Sequence, residues 1–471
     1  MVDPATLPRV SSQVASTTFP LVVVSNRLPV SFSTEKDGTR VPTLSPGGLV
    51  AAVAPSLRGR NAAWVGWDGT DSGDTSSLTV DDIALFPVSM DRELVERHYE
   101  GFSNGTLWPL FHDVGVDAEF HDSWWEAYQK VNLLYAKQAA DIVDEGGIVW
   151  VHDYQMMLVP RILRDLRPDV TIGYFHHIPF CDLEKLRTLP HYQDLVEGLS
   201  GADIAGFQRN RDRDLFRTAQ LDIADSAVSA RAETYPISLD FDAVSLAAGS
   251  TEVIHRAVEL REEWGNPTTV FLGVDRIDYT KGIPERLEAY EALLRAGELD
   301  VDDTVMVQAG SPSREGVPTY QALRARIDEI VSRINREFPT ASGRPAVVFT
   351  AQNLEREEML AFFVSADVMI VSSLRDGMNL VAKEFVACKN DEAGVLILSP
   401  HTGAADSMVE AIIADPTEPA ELQSAFLRAT TMGVEEQRTR MIALRGEVHQ
   451  HDVAWWSEAI LSDLASVSAK P

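Results

Sequence analysis

The sequence predicts an α/β protein built from two parallel-sheet domains, and three observations lead there. At 471 residues the chain exceeds what one ordinary core serves, so two domains of roughly 200 residues each are expected. Short apolar runs with the length and branching of buried parallel strands recur along it, each followed by turn or charged residues. Segments with helical apolar spacing separate these runs, which is the strand–helix–strand alternation of a parallel sheet.

In chain order, residues 1–18 are polar and rich in Ser, Thr and Pro. They lack the basic start and apolar middle of a signal peptide, so a disordered tail is expected. The first domain is expected over 19–240. Leu21–Ser25 reads as a buried strand ending at Asn26-Arg27, Ile148–Val151 as another ending at His152-Asp153, and Thr171–Phe175 as a third ending at His176-His177. Helical spacing over Tyr154–Arg167 links the last two. Thr234–Ile237 is strand-like, and the boundary is placed near 238–250. The second domain, 241–450, repeats the pattern with strands at Thr269–Val274, Val305–Gln308, Val347–Phe349, Val368–Val371 and Val395–Ile397. Helices are expected at about 284–294 and 380–388. A last helix, Val453–Leu464 with Trp455 and Trp456, within residues 451–471, is expected to pack back on the first domain.

Composition narrows the function. No apolar run approaches the ~20 residues needed to cross a bilayer. Two cysteines, Cys181 and Cys388, exclude a disulfide framework and fit a reducing, cytoplasmic setting. Against 41 Lys and Arg stand 71 Asp and Glu, a net charge of −30, which argues against nucleic acid and anionic membranes as partners.

The most informative stretch is Arg375–Glu384, which follows the Val368–Val371 run and leads into a helix-like segment. A strand end, a tight turn at Asp376-Gly377 and a helix N-terminus form a natural anion site, because the first helical turn leaves N–H groups unpaired. Met378, Asn379, Leu380 and Val381 lie in that turn and first helical residues. Glu384 falls one to two turns in, where a carboxylate can accept from sugar hydroxyls. Arg276 and Lys281 follow a strand on one loop and can neutralise a diphosphate. Spacing alone favours an ordinary solvated loop in which Asp275 and Asp278 pair these cations; the Arg375–Glu384 stretch in the same half turns the reading to a phosphate site. Gly47-Gly48 precedes an apolar stretch and would let backbone approach a ligand closely, although Pro-Gly is also a common turn. Asp153 and His177 each end a strand and can hold sugar oxygens; a structural cap is the plainer reading of either alone. Tyr99 and Trp108 could wall a hexose or simply pack in a core. Arg314 follows a strand on a small-residue loop, placed for a second anion. His176-His177 lacks the companions of a zinc site. Asp300–Thr304 matches the DxDxT phosphatase pattern but precedes its strand instead of ending one, so it is rejected. The chain has neither a Walker A sequence nor a GxGxxG fingerprint.

Taken in order, Val22–Arg27, Phe102-Ser103-Asn104, Leu107-Trp108-Pro109, Trp150–Tyr154, His177–Phe180, Gly206-Phe207-Gln208, Asp278–Gly282 and Leu374–Glu384 resemble glycosyltransferase family 20, the retaining trehalose-6-phosphate synthases. The resemblance runs over about residues 20–467 without large gaps. It implies a GT-B architecture, two Rossmann-like domains whose parallel sheets face across a central cleft. It implies transfer of glucose from a nucleoside diphosphate glucose, UDP-glucose first with ADP- and GDP-glucose open, to glucose 6-phosphate, giving α,α-trehalose 6-phosphate. Carried over by position, Gly47, Gly48, Arg276, Lys281, Leu354, Asp376, Gly377, Met378, Asn379, Leu380, Val381 and Glu384 would hold the donor, Arg276 and Lys281 at the diphosphate and Glu384 at the ribose. Arg27, Tyr99, Trp108, Asp153 and Arg314 would hold the acceptor, with Arg27 and Arg314 at its phosphate. His177 would contact the donor glucose, and His177, Arg276, Lys281 and Asp376 would form the catalytic set. No metal or cofactor is implied, and a homo-oligomer, dimer or tetramer, is expected. Leu354 departs from the aromatic often found near the donor base, which leaves the nucleotide open, and the extra His176 has no counterpart role. A related sugar-phosphate synthase, such as one making glucosylglycerol phosphate, and a non-catalytic regulatory subunit are the rival readings.

Anionic substrates must approach a strongly anionic protein, so screening should help rather than hinder. Moderate salt is expected to leave substrate KM unchanged or lower it; a steep rise of KM with salt in steady-state kinetics would contradict this.

Overall fold

The structure, a computed structural model, describes residues 10–11, 16–34, 40–44, 48–70, 73, 75–223, 230–314 and 316–468. The chain forms two compact units, one comprising residues up to Ile237 together with those from Ala454 on, the other Ser238–Val453. Among the described residues no helix is long and apolar enough to cross a membrane.

In the first unit the strands are β1 (Val10–Ser11), β2 (Phe19–Arg27), β3 (Val30–Thr34), β4 (Arg40–Leu44), β5 (Ala62–Trp67), β6 (Leu78–Val80), β7 (Ile83–Pro87), β8 (Val143–His152), β9 (Thr171–His176), β10 (Ile204–Phe207) and β11 (Arg231–Thr234). Nine of these join in the order β1-β6-β7-β5-β2-β8-β9-β10-β11, and β3 with β4 forms a separate hairpin. From β7 to β11 all neighbours are parallel. Val22, Val23 and Val24 are fully buried on both faces, as a central parallel strand requires. The order runs outward in two directions from the β2–β8 pair, so the topology switches there. The expected disordered tail needs correction at Val10–Ser11, which pairs antiparallel with β6: a free sheet edge offers unpaired backbone groups that even two residues can satisfy. Residues 1–9 and 12–15 of that tail lie outside the described residues, as does Gly47.

The segment expected as one helix over Tyr154–Arg167 is a short 3-10 turn, Tyr154–Met156, followed by an α-helix, Val159–Leu166. Pro160 accounts for the restart, since it supplies no N–H and is accommodated only in a first turn. The strand expected over Thr234–Ile237 instead ends at Thr234, because Pro236 has no N–H to give the ladder. The final helix, Val453–Ser468, brings Trp456 into the first unit's core. Its ring lies 5.2 Å from Trp150 and 5.3 Å from Phe175, and its Nε1 donates to the Tyr235 carbonyl at 3.2 Å.

In the second unit β12 (Thr269–Arg276), β13 (Thr304–Ser311), β14 (Val347–Thr350), β15 (Val368–Val371), β16 (Val395–Leu398) and β17 (Ile412–Ile413) form one sheet in the order β14-β13-β12-β15-β16-β17. Every pairing is parallel. Here the topology switches between β12 and β15. The helix Ile283–Ala296 is opened by Gly282 and Pro284 and closed by Gly297 in the left-handed region, the usual division of labour between proline and glycine at helix ends. Its Leu287 and Tyr290 join Phe271, Met306, Ile370 and Phe426 in the core.

Trp456 is fully buried, so Trp456→Ala should destabilise the protein by about 3–5 kcal/mol. Chemical denaturation followed by far-UV circular dichroism reads this directly; a loss below 1 kcal/mol would mean the helix does not anchor the unit.

Candidate active site

In an open parallel sheet, ligands bind beyond the strands' carboxyl ends at the topological switch point. In the second unit that point is the β12–β15 pair, and the loops leaving these two strands carry Lys281 and Asp376–Asn379, with Arg276 at the end of β12 and Leu380, Val381 and Glu384 on the helix that follows. Lys281, after β12, places Nζ 2.5 Å from Asp376 Oδ2, after β15. Asn379 Nδ2 donates to the same carboxylate oxygen at 3.1 Å. Asn379 itself holds a positive φ of 92° and caps the helix Leu380–Cys388, its Oδ1 accepting from Ala382 N at 3.0 Å. The two loops are bonded directly, Leu374 N to Thr280 O at 2.7 Å. The turn is held from below by Asp376 N to His401 O at 3.0 Å and Ala404 N to Met378 O at 2.9 Å. Gly282 makes this closeness feasible: its φ is 62°, and a Cβ there would lie 2.0 Å from the Ser372 carbonyl oxygen. The result is a Lys281–Asp376 ion pair, an amide and a helix N-terminus gathered where the two strand-end loops meet. Such a group can hold a phosphate.

Beneath these loops lies a group not anticipated from the sequence. Arg286 is fully buried; it donates to Asp275 Oδ2 at 2.5 Å, the Lys281 carbonyl at 2.9 Å and the Ile370 carbonyl at 2.9 Å. Burial raises the Asp275 carboxyl above its ordinary value even with Arg286 and Lys281 beside it. The solvated-loop reading, in which Asp275 would pair Arg276 or Lys281, therefore does not hold for Asp275, whose partner is Arg286. The spacing Asp275…Arg286 across a strand end and the following helix carries no signal in a sequence.

Arg276 ends β12 and is exposed. Arg314 adopts a positive φ of 48°, a strained conformation for a long side chain. It donates to the Tyr320 hydroxyl and lies 3.5 Å from Asp278 Oδ2. Burial works to raise the Asp278 carboxyl, but Arg276, Arg314 and Lys281 together hold it below its ordinary value. Leu354 lies half-buried just before the helix Arg356–Ser365. Glu384 is in the second turn of its helix, partly exposed, and burial pushes its carboxyl up to about 7, offset in part by Arg356.

In the first unit the switch point is the β2–β8 pair. Arg27 ends β2 with its guanidinium 4.7 Å from the Trp67 ring centroid, a cation–π seat. Asp153 follows β8 in a positive-φ conformation, φ 75° and ψ 167°. Its Oδ1 accepts from Tyr154 N at 3.0 Å and His177 N at 3.2 Å, tying the ends of β8 and β9. His177 Nε2 meets His152 Nδ1 at 3.0 Å, and burial holds His177 neutral, down to about 3. Tyr154 donates to Asn104 Oδ1 at 2.8 Å, and Asn104 Nδ2 to the Tyr99 carbonyl at 2.8 Å. Trp108 is buried, its ring 4.0 Å from His112 and 5.8 Å from Tyr154. Tyr99, Trp108, Asp153 and His177 are thus linked through Tyr154 and Asn104. His176 is a core residue, its Nδ1 2.9 Å from the Tyr174 hydroxyl and its ring against Phe111 and Phe180.

Tyr99 and Asn104 ride on an element absent from the sequence reading, a twelve-residue π-helix, Glu96–Leu107. Its wider turn is compatible with glycine at the contact with Trp124, whose ring a Cβ on Gly101 would meet at 2.6 Å. Short π windings are frequent at functional sites. The pair of glycines at 101 and 105 was the only visible hint.

The Glu384 carboxyl binds its proton more tightly folded than unfolded, 7 against an ordinary 4.5. Its burial therefore weakens the fold as pH rises from about 4.5 through about 7. Glu384→Gln should raise Tm by about 2–4 °C at pH 8 and leave it nearly unchanged at pH 5. Equal shifts at the two pH values in thermal melts would refute the assignment.

Comparison with known proteins identifies the family and the fold. Residues 20–466 match the model of glycosyltransferase family 20. A trehalose-6-phosphate synthase of Mycobacterium sp. (strain JLS) is 42% identical, covering 98% of this chain and 99% of that protein. An E. coli structure bound with UDP-2-fluoro glucose is 30% identical, with a TM-score of 0.86 over 96% of this chain and 99% of that one. An α,α-trehalose-phosphate synthase (UDP-forming) of Burkholderia xenovorans in complex with glucose-6-phosphate is 29% identical, with a TM-score of 0.86 over 94% and 99%. The two parallel-sheet units are those of the GT-B fold. The chain belongs to glycosyltransferase family 20 and is an enzyme of trehalose biosynthesis acting by glycosyl transfer.

Proposed function

We propose that this enzyme transfers glucose, with retention, from UDP-glucose to glucose 6-phosphate and forms α,α-trehalose 6-phosphate. The observation that carries the reading is the Lys281–Asp376–Asn379 cluster at the β12–β15 switch, a site shaped for a diphosphate next to a helix N-terminus. The ligands of the E. coli and B. xenovorans relatives support the choice of donor and acceptor.

In this reading Arg276 and Lys281 take the diphosphate, Glu384 the ribose hydroxyls, and the Gly377–Val381 turn the remaining phosphate oxygens through backbone N–H groups. Arg27 and Arg314 take the phosphate of glucose 6-phosphate, and Tyr99, Trp108 and Asp153 its sugar. His177 touches the glucosyl group. No side-chain carboxylate serves as nucleophile. The acceptor hydroxyl attacks the anomeric carbon from the face the diphosphate leaves; the C–O bond to the diphosphate breaks with its electron pair, and a leaving oxygen takes the hydroxyl proton. Catalysis is then positioning plus charge stabilisation on the leaving group. It needs no metal or cofactor.

The test is nucleoside diphosphate release by purified protein from UDP-, ADP- and GDP-glucose, each with and without glucose 6-phosphate. Release that requires glucose 6-phosphate, greatest with UDP-glucose and yielding an α,α-linked disaccharide phosphate, is expected. Absence of release from folded protein would transfer the reading to another acceptor or to a regulatory subunit. Lys281→Ala should lower kcat about 100-fold or more as well as raise donor KM. A raised KM with unchanged kcat would mean Lys281 binds ground and transition states alike.

A further inference from the structure

We infer that His152 is a positioning residue that sets the tautomer of His177, leaving His177 with its proton on Nδ1 as a neutral hydrogen-bond donor. The inference rests on the proposed contact between His177 and the glucosyl group and names the chemical form in which His177 makes it.

His152 is the last residue of β8 and is fully buried. Its ring is enclosed by aromatic neighbours, with Trp150 at 4.5 Å and Phe175 at 6.4 Å between centroids. Burial, with His177 adding to it, keeps it neutral, so it carries one N–H and one bare nitrogen. Its two nitrogens have unlike surroundings. Nδ1 lies 3.0 Å from His177 Nε2. Nε2 is buried and has no hydrogen-bond partner among the described residues. A proton on Nε2 would be a buried donor with nothing to bond, an arrangement that native proteins seldom tolerate. The proton therefore belongs on Nδ1, from which it is donated to His177.

The consequence passes to the next ring. His177 Nε2 must accept, so it is unprotonated. His177 is neutral, which leaves its single proton on Nδ1. Its backbone N–H is already held by Asp153 Oδ1 at 3.2 Å, and its ring lies 4.6 Å from that of Phe175, so backbone and ring are both fixed. Among the described residues no acceptor pairs with His177 Nδ1, while the residue keeps part of its surface exposed at the carboxyl edge of the sheet. A donor held in one orientation, without net charge, suits a sugar oxygen that must be gripped without attracting the anionic leaving group. A partner that fixes ring orientation and tautomer is the role outer residues commonly play toward functional histidines.

The test combines spectroscopy and kinetics. In the wild-type protein labelled with ¹⁵N-histidine, His177 (assigned by its loss in His177→Gln) should show a protonated Nδ1 and an unprotonated Nε2 at neutral pH. His152→Asn, whose amide can donate from the position of Nδ1, should retain that pattern and most of the activity. His152→Leu should lose the pattern and lower kcat about tenfold with little change in donor KM. The inference is overturned if wild-type His177 carries its proton on Nε2, if His152→Leu leaves the Nδ1 proton in place, or if Asn and Leu impair kcat equally. The spectroscopic result on the wild-type protein is independent of turnover. An inactive wild-type enzyme would refute the proposed reaction, whereas an active one with an Nε2 proton would refute only the role of His152.

Discussion

A parallel sheet places the carboxyl ends of all its strands along one edge, and this constraint positions the strand-end residues of functional interest in both units. At the β2–β8 switch of the first unit it delivers Arg27 and Asp153, with His177 one strand further along. At the β12–β15 switch of the second it delivers Arg276, Lys281 and the turn from Ser372 to Asn379. Residues far apart in sequence, such as Lys281 and Asp376, meet because the strands before them are hydrogen-bonded neighbours. The chemistry is carried by loops, whose positions the sheet dictates.

Holding those loops requires polar groups in places where polarity is expensive. Arg286 spends all its exposed surface to bind Asp275 and two carbonyls, one from the Lys281 loop and one from β15. A buried ion pair is weak evidence for stability, since an apolar replacement of both partners can be as stable. Its value here is geometric: one guanidinium fixes the strand end that bears Arg276, the loop that bears Lys281 and the strand that leads to Asp376. Lys389 works in the same way on a smaller scale, donating to the Ala366 carbonyl at 2.6 Å behind the helix Arg356–Ser365. Three of the nine non-glycine residues with positive φ among the described residues lie in the same regions. Asp153, Arg314 and Asn379 all hold positive φ values, and each is bound by a side-chain contact that compensates for it.

Histidines divide by environment in a way their adjacency in sequence conceals. His176 and His177 are neighbours, yet alternation along a strand turns them to different surroundings. His176 lies among Phe111, Phe180 and Phe207 and belongs to the core. His177 reaches the strand end, where His152 and Asp153 hold its ring and backbone. Burial keeps all three of His152, His176 and His177 neutral, so the first unit presents hydrogen bonds at this edge without adding imidazolium charge.

Much was legible in the linear sequence because it is local physics. Apolar runs of four to six residues identify strands, the polar residues after them mark the functional edge, and the Asp376–Leu380 turn announces a helix N-terminus. The order of motifs along the chain also identified the family. Other features depended on contacts between distant segments. Which carboxylate Lys281 would meet, Asp376 or a nearer aspartate, was decided by the β12–β15 pairing. The buried Arg286 looks in sequence like any charged residue on an amphipathic helix; only the sheet packed against that helix gives it acceptors. The π-helix bearing Tyr99 packs Gly101 against the Trp124 ring, a contact between distant segments, and the proton on His177 depends on what surrounds His152. Periodicity reports which face a residue occupies, whereas the partner that waits at that face is a property of the folded chain alone.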